Sequence, residues 1–309
     1  MIARVGEACD VLAETMDDLK VILVGVDFTS AFRGVVETAV RVAGACGATL
    51  VVRHIVDAER LERYLKHQKR ESEADVVGAA EARLKDELAA IEFGETEVDA
   101  GVELGVPGER LLEVGEERGA GLVVLSAHDR VKWGVGAVAS HVLRGAKGSV
   151  LVLRDWQRGR FRKVGVCVDF SDTSLKAVRQ AARVARVDGA PLELVHVIYP
   201  VMKDYYGDVF RGGGDGARLN PAEVKKRVKV EIDDYLAPVR GDIETLDLRM
   251  VILESTSPSA AITAHFDEVN VDLAVLGTTG KRSFFGLRLG SNAERLVRDT
   301  TCSVLAVKG

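Results

Sequence analysis

Short runs that are apolar at nearly every position alternate along this chain with longer stretches in which apolar residues return every three or four positions. Runs such as Val21-Ile-Leu-Val-Gly-Val26 and Leu273-Ala-Val-Leu276 have the pattern of strands buried on both faces, as in a parallel sheet covered by helices. The longer stretches have the pattern of amphipathic helices. The first half predicts strands near 20–26, 49–56, 97–103, 121–126 and 149–153, with helices near 32–46, 58–92, 107–118 and 137–146. The second half predicts strands near 163–168, 191–198, 246–253, 272–277 and 302–307, with helices near 173–187, 221–237, 258–269 and 291–299. Local signals agree with these limits. Asn220-Pro221 and Ser257-Pro258 read as N-cap and first-turn pairs, and Gly189 reads as a helix stop. The alternation implies an α/β fold with a doubly wound parallel sheet, in which ligands bind beyond the carboxyl ends of the strands.

The halves repeat one another. Val21 to Asp27-Phe-Thr-Ser30 opens the first, and Val164-Gly-Val-Cys-Val-Asp169-Phe-Ser171 opens the second. Asp27 and Asp169 are 142 residues apart, as are His54 and His196. Pro107 and Pro258 are 151 apart, as are Leu125 and Leu276, and Val150 and Val304 are 154 apart. An offset that steps twice describes a duplication with two insertions, the larger near the mobile-looking Gly212-Gly-Gly-Asp-Gly216. Each repeat has the length of a domain, since the chain's 309 residues suit two domains of about 150.

One candidate site stands out in the second half. Gly277-Thr278-Thr279-Gly280 follows a strand, and nine residues later Gly290-Ser291 opens a helix beginning Asn292-Ala293-Glu294. Glycines let backbone approach an anion, and a helix N-terminus offers unpaired N–H donors in a favourable dipole. Ser291 adds a hydroxyl, and Lys281, Arg282 and Arg288 supply cations within the loop. No Gly-Lys-Ser/Thr triplet follows Gly290, so this is not a Walker loop, and the spacing is too long for a dinucleotide fingerprint.

Composition narrows the field. With 47% hydrophobic and 29% charged residues and a net charge of −5, the chain is not a general nucleic-acid binder, which would be basic. Cys9, Cys46, Cys167 and Cys302 form no CxxC pair, so neither a zinc nor a redox site is indicated, and Cys167 and Cys302 read as core thiols. No signal peptide or membrane span is read in the sequence, and the expected location is cytoplasmic.

The loop resembles the phosphate loop of the universal stress protein family: Gly, two residues, Gly, nine residues, Gly, then Ser or Thr. The resemblance extends to Asp169-Phe-Ser at the end of its strand, Leu194-Val-His-Val-Ile198, the Pro258 helix and the closing strand Ser303-Val-Leu-Ala-Val307. It divides the chain into an N-terminal extension (1–17), a first domain (18–154), a linker (155–161) and a second domain (162–309). It implies two tandem Rossmann-like domains joined as an internal pseudo-dimer, with Val150–Leu153 beside Val304–Val307, and further pairing into a homodimer remains open. It also implies an adenine nucleotide (ATP, ADP or AMP), with Mg2+ accompanying ATP. By the same resemblance the ligand lies against Val168, Asp169, Val197, Gly277, Thr278, Gly280, Lys281, Arg282, Gly290, Ser291 and Asn292. Asp169 would contact the nucleoside, and the backbone of Val197 would meet the adenine edge.

The residues also admit plainer roles. An Asp at a strand end often caps a turn, and His54 and His196 read as hydrogen-bonded core histidines. The charged stretch from Glu59 to Glu87 reads as one amphipathic helix with a solvated face. In the first half, Ser126 stands for Gly277, Asp129 for Gly280 and Gly136-Ala137 for Gly290-Ser291, with three residues fewer between them. At about 4 Å two like charges repel by about 4 kcal/mol at a protein surface. Micromolar binding is worth only about 8 kcal/mol. The first site is therefore expected to be dead, with Asp27 kept as a turn residue. The leading function is a stress-response sensor or regulator that binds an adenine nucleotide in its second domain and is not an enzyme. The rivals are a slow ATPase or phosphotransfer enzyme and a ligand-free module for unidentified protein partners.

Overall fold

The computed structural model describes residues 19–67, 72–127, 135–154, 159–199, 221–279 and 290–309. The chain forms two compact units that divide between Arg160 and Phe161.

In the first unit, strands β1 (Val21–Val26), β2 (Thr49–Asp57), β3 (Val98–Gly105), β4 (Leu122–Ser126) and β5 (Ser149–Leu153) alternate with helices. These are α1 (Phe32–Cys46), α2 (Ala58–His67), α3 (Glu73–Ala89), α4 (Pro107–Glu117) and α5 (Ala137–Gly145). The strands lie in the order β3-β2-β1-β4-β5, with parallel pairing throughout. Ile22, Val24, Leu50, Val52, Val124, Val150 and Val152 are wholly buried, which is why these runs carry almost no polar residue. Arg53 in β2 is the exception. Its buried guanidinium donates to Glu103 and Asp99 carboxylates at 3.0 Å each and to the carbonyls of Val52 and Asp99, so every nitrogen is satisfied.

The single helix expected over 58–92 is two. α2 ends at His67, and α3 starts afresh from a capping box. Ser72 accepts the Asp75 N–H, while the Asp75 carboxylate accepts the Ser72 N–H at 2.8 Å.

The second unit repeats the plan with β6 (Val164–Cys167), β7 (Leu192–Ile198), β8 (Leu248–Glu254), β9 (Leu273–Gly277) and β10 (Ser303–Val307). Its strand order is β10-β9-β6-β7-β8, with β9-β6-β7-β8 paired in parallel. Its helices are α6 (Asp172–Asp188), α7 (Pro221–Tyr235), α8 (Arg240–Ile243), α9 (Pro258–Glu268) and α10 (Ser291–Asp299). A short 3-10 turn at Ala237–Val239 and α8 were not anticipated. Gly189 stops α6 in the left-handed region as expected, at φ 67°. Ser257 is the N-cap residue of α9 and Pro258 opens the helix as expected, but the Ser257 side chain makes no capping bond: its N–H binds Ser255 Oγ and its carbonyl takes the Ser255 hydroxyl in a local turn. Asn220 lies outside the described residues.

Phe266 of α9 is buried against β6 at Gly165, where a Cβ would come within 2.6 Å of its ring. Cys302 is buried just ahead of β10, and burial raises its thiol above the ordinary value. Burial does the same to Cys167 at the end of β6. Cys302 is the core thiol that the sequence indicates, while Cys167 is only half-buried.

Candidate functional site

In a doubly wound sheet the chain leaves in opposite directions from the two strands at the order reversal, which opens a crevice at their carboxyl ends. In the second unit those strands are β6 and β9. They deliver Val168-Asp169 and Gly277-Thr278 to the same edge.

The turn after β6 is built around Asp169. Its Oδ1 accepts the Ser171 N–H at 3.1 Å and the Ser171 hydroxyl at 2.5 Å, so the plain turn role holds. The residue is nonetheless exposed, and Oδ2 binds no described residue. Ser171 then caps α6 by accepting the Ser174 N–H at 3.1 Å. Phe170, between them, sits in the left-handed region at φ 62°, and its ring meets His196 edge-on at 4.8 Å. His196 is buried and its Nδ1 lies 2.7 Å from the Val168 carbonyl. A carbonyl only accepts, so Nδ1 carries the proton. Burial lowers the pKa of the ring, which favours this neutral form. Val197 beside it is half-buried.

The turn after β9 is anchored differently. Thr278 N–H donates to the Val307 carbonyl at 2.9 Å, and Gly290 N–H donates to the Thr278 carbonyl at 2.7 Å, which sets the start of α10 against the end of β9. The glycines there have different reasons. A Cβ on Gly277 would lie 3.0 Å from the backbone of Thr173 and Ser174, so Gly277 is required by the close approach of α6. Gly290 has φ −69°, and among the described residues a Cβ there would meet nothing nearer than Thr278 O at 3.5 Å, so the described fold does not require glycine. Among the described residues no side chain caps α10, and Ser291 and Asn292 in its first turn are exposed. Thr278 is buried, and its Oγ1 has no hydrogen-bond partner among the described residues. Thr173 and Thr279 join the two turns through their hydroxyls at 2.8 Å.

These features fit an anionic ligand: an uncapped helix start, an open space that a side chain would fill, and an orphaned hydroxyl beside it. Gly280, Lys281 and Arg282 lie outside the described residues, as does Asp129 of the first unit. Among the described residues no group of three His, Cys, Asp or Glu could hold a metal ion, and no helix is long and apolar enough to cross a membrane.

The first unit keeps the frame and changes the contacts. Ala127 N–H donates to Leu153 O as Thr278 does to Val307, so Ser126 does occupy the place of Gly277. His54 Nδ1 donates to Val26 O at 2.9 Å, matching His196. Among the described residues Asp27 Oδ1 accepts only the Thr29 hydroxyl, at 2.6 Å, and α1 has no side-chain cap. Gly136 precedes α5 at φ 83°, a backbone that Gly290 does not share, and Ala137 replaces Ser291.

The universal stress protein family model matches residues 19–154 and again 160–308. The chain is a tandem member of the universal stress protein family. A universal stress protein of Methanocaldococcus jannaschii is 29% identical over 150 residues, which cover 48% of this chain and 82% of that one. One of Thermus aquaticus is 30% identical over 148 residues, covering 48% of this chain and 99% of that one. The crystal structure of a universal stress protein from Archaeoglobus fulgidus matches 93% of this chain and 98% of its own, with a TM-score of 0.60 and 18% identity.

In this universal stress protein the sheet brings Val168, Asp169, Val197, Gly277, Thr278, Gly290, Ser291 and Asn292 to one edge. Sequence reading missed Tyr235, Thr173 and Ser174, which bind that edge from α6 and α7. The contacts that Thr173 makes with Thr279 and Tyr235 makes with Ser171 and Ser174 span 61 to 106 residues, so no local pattern marks them.

Proposed function

We propose that the second unit binds an adenine nucleotide (ATP, ADP or AMP) and that the protein acts in the cytoplasm as a nucleotide-responsive regulator rather than as an enzyme. The uncapped start of α10, beside an unrequired glycine and the orphaned Thr278 hydroxyl, is the observation that carries this reading. Phosphates would lie there against Gly290, taking N–H donors from Ser291 and Asn292, the Ser291 hydroxyl, and charge from Lys281 and Arg282. The nucleoside would lie across the crevice against Asp169 and the backbone at Val168 and Val197. Bound ligand would then favour one conformation or partner surface, which is how a binding module transmits a signal to protein partners. Where Mg2+ accompanies ATP, it would neutralise phosphate charge.

Replacing Gly290 by Val tests this directly. It fills the open space while φ −69° suits valine, so the fold should survive and ATP binding in a calorimetric titration should vanish. Unchanged ATP binding by a folded Gly290→Val protein would refute the site.

A further inference from the structure

Tyr235 ends α7, and its hydroxyl leaves that helix for the turn that carries Asp169. It donates to the Ser171 carbonyl at 2.6 Å and lies 2.7 Å from Ser174 Oγ. With the phenol proton on Ser171, Ser174 Oγ donates to the phenol oxygen; it also lies 3.0 Å from the Ser171 carbonyl and accepts the Asp169 N–H at 3.4 Å. Ser171 in turn binds Asp169 Oδ1 through its N–H and its hydroxyl. One phenol thus stands a single hydrogen bond away from both groups that hold the backbone and carboxylate of Asp169. The turn needs holding, because Phe170 is a bulky residue in the left-handed region. Its ring is clamped edge-on between His196 at 4.8 Å and Tyr235 at 5.3 Å. Burial raises Tyr235 to about 12, so it remains a donor at any physiological pH.

The first unit ties its own helix to the same turn with different chemistry. Arg83 of α3 lies over the Phe28 ring at 4.5 Å and donates to the Phe28 carbonyl at 3.2 Å. That tie is charged and solvent-exposed, and it reaches neither Asp27 nor a helix cap. Both repeats therefore fasten the crossover helix to this turn, but only the second fastens it to the groups that aim the aspartate.

We infer that Tyr235 is a positioning residue, a latch through which the docking of α7 sets Asp169 for the nucleoside half of the ligand. This rests on the nucleotide reading above. It predicts that affinity for the nucleoside depends on α7, whereas affinity for phosphate at α10 does not.

Tyr235→Phe keeps the ring against Phe170 and removes only the hydroxyl. The full chain and this variant would be titrated with adenosine and with inorganic tripolyphosphate. The latch predicts adenosine binding weakened about fivefold to tenfold, as for one lost hydrogen bond, with tripolyphosphate binding unchanged. Amide exchange at residues 169–174 should also be faster in the ligand-free variant. Equal loss for both ligands would mean that Tyr235 merely supports the fold, and would overturn the inference. So would adenosine binding and exchange identical to the parent. If the parent binds neither ligand, the nucleotide reading fails, and exchange alone decides the latch: faster supports it, unchanged overturns it. Ser174→Ala removes another corner of the same triangle and should show the same selective loss should Tyr235→Phe not fold.

Discussion

A methyl group on Gly277 would press on the backbone of Thr173 and Ser174, neither of which can swing aside as a long side chain can. Gly277→Ala should therefore lower stability by about 1–3 kcal/mol, the usual range for overpacking. Gly290→Ala should change it by less than about 0.5 kcal/mol. Chemical denaturation separates the two, and equal midpoints would show that α6 can yield. His196 sets a pH dependence. Its folded pKa is lowered by burial, while unfolded histidine titrates near about 6.5. Above that value both states are neutral and the contribution is complete. As pH falls below it, the unfolded state takes the proton first, so stability declines toward the folded pKa. His196→Gln should flatten the stability profile below about pH 6.5, and an unchanged slope would place the titration elsewhere. At this scale the sequence showed residue types well. Asp169 and Gly277 could be placed at strand ends from pattern alone, yet nothing local distinguished a glycine that packing requires from one that it does not.

Helix starts show how far element boundaries can be read. The capping box at Ser72 lay hidden because charged residues continue with helical period through α2 and into α3, so the break carries no change of pattern. Ser72→Ala should cost about 1 kcal/mol and leave ATP binding in the second unit intact. A loss of binding would link α3 to that site. Ser257 marks its boundary correctly, yet its side chain makes no capping bond and its backbone is spent on a turn with Ser255. Strands were the most legible elements, because burial on both faces removes polar residues and leaves little ambiguity. Phe266 joins α9 to β6 through the gap left by Gly165, and Phe266→Ala should cost about 3–5 kcal/mol. A cost below about 1 kcal/mol in urea unfolding would mean that the site collapses to fill the void.

For the whole molecule, duplication without equivalence is the main consequence. The first unit has Ala137 for Ser291 and a left-handed Gly136 for Gly290, so calorimetry should count one nucleotide per chain. Two equivalent sites would contradict this. Turnover should also be slow. Phosphoryl transfer needs a group that positions the nucleophile and usually a well-held Mg2+. Asp169, the carboxylate at the end of β6, already holds Ser171. Phosphate release with saturating ATP and Mg2+ should stay below about 1 s−1, the low end of ordinary enzymes. A faster rate that disappears in Asp169→Ala would make the protein an ATPase.

The buried thiol of Cys302 gives this protein a clock. Burial keeps it protonated, and it is the thiolate that alkylating reagents and peroxides attack. In a Cys9→Ser, Cys46→Ser, Cys167→Ser background, reagent uptake should wait for the second unit's core to open, so the labelling rate measures how often it opens. Any ligand that binds only the closed unit should slow that rate by the factor one plus its concentration over its Kd. The thiol would then report occupancy of the site without itself responding to oxidant.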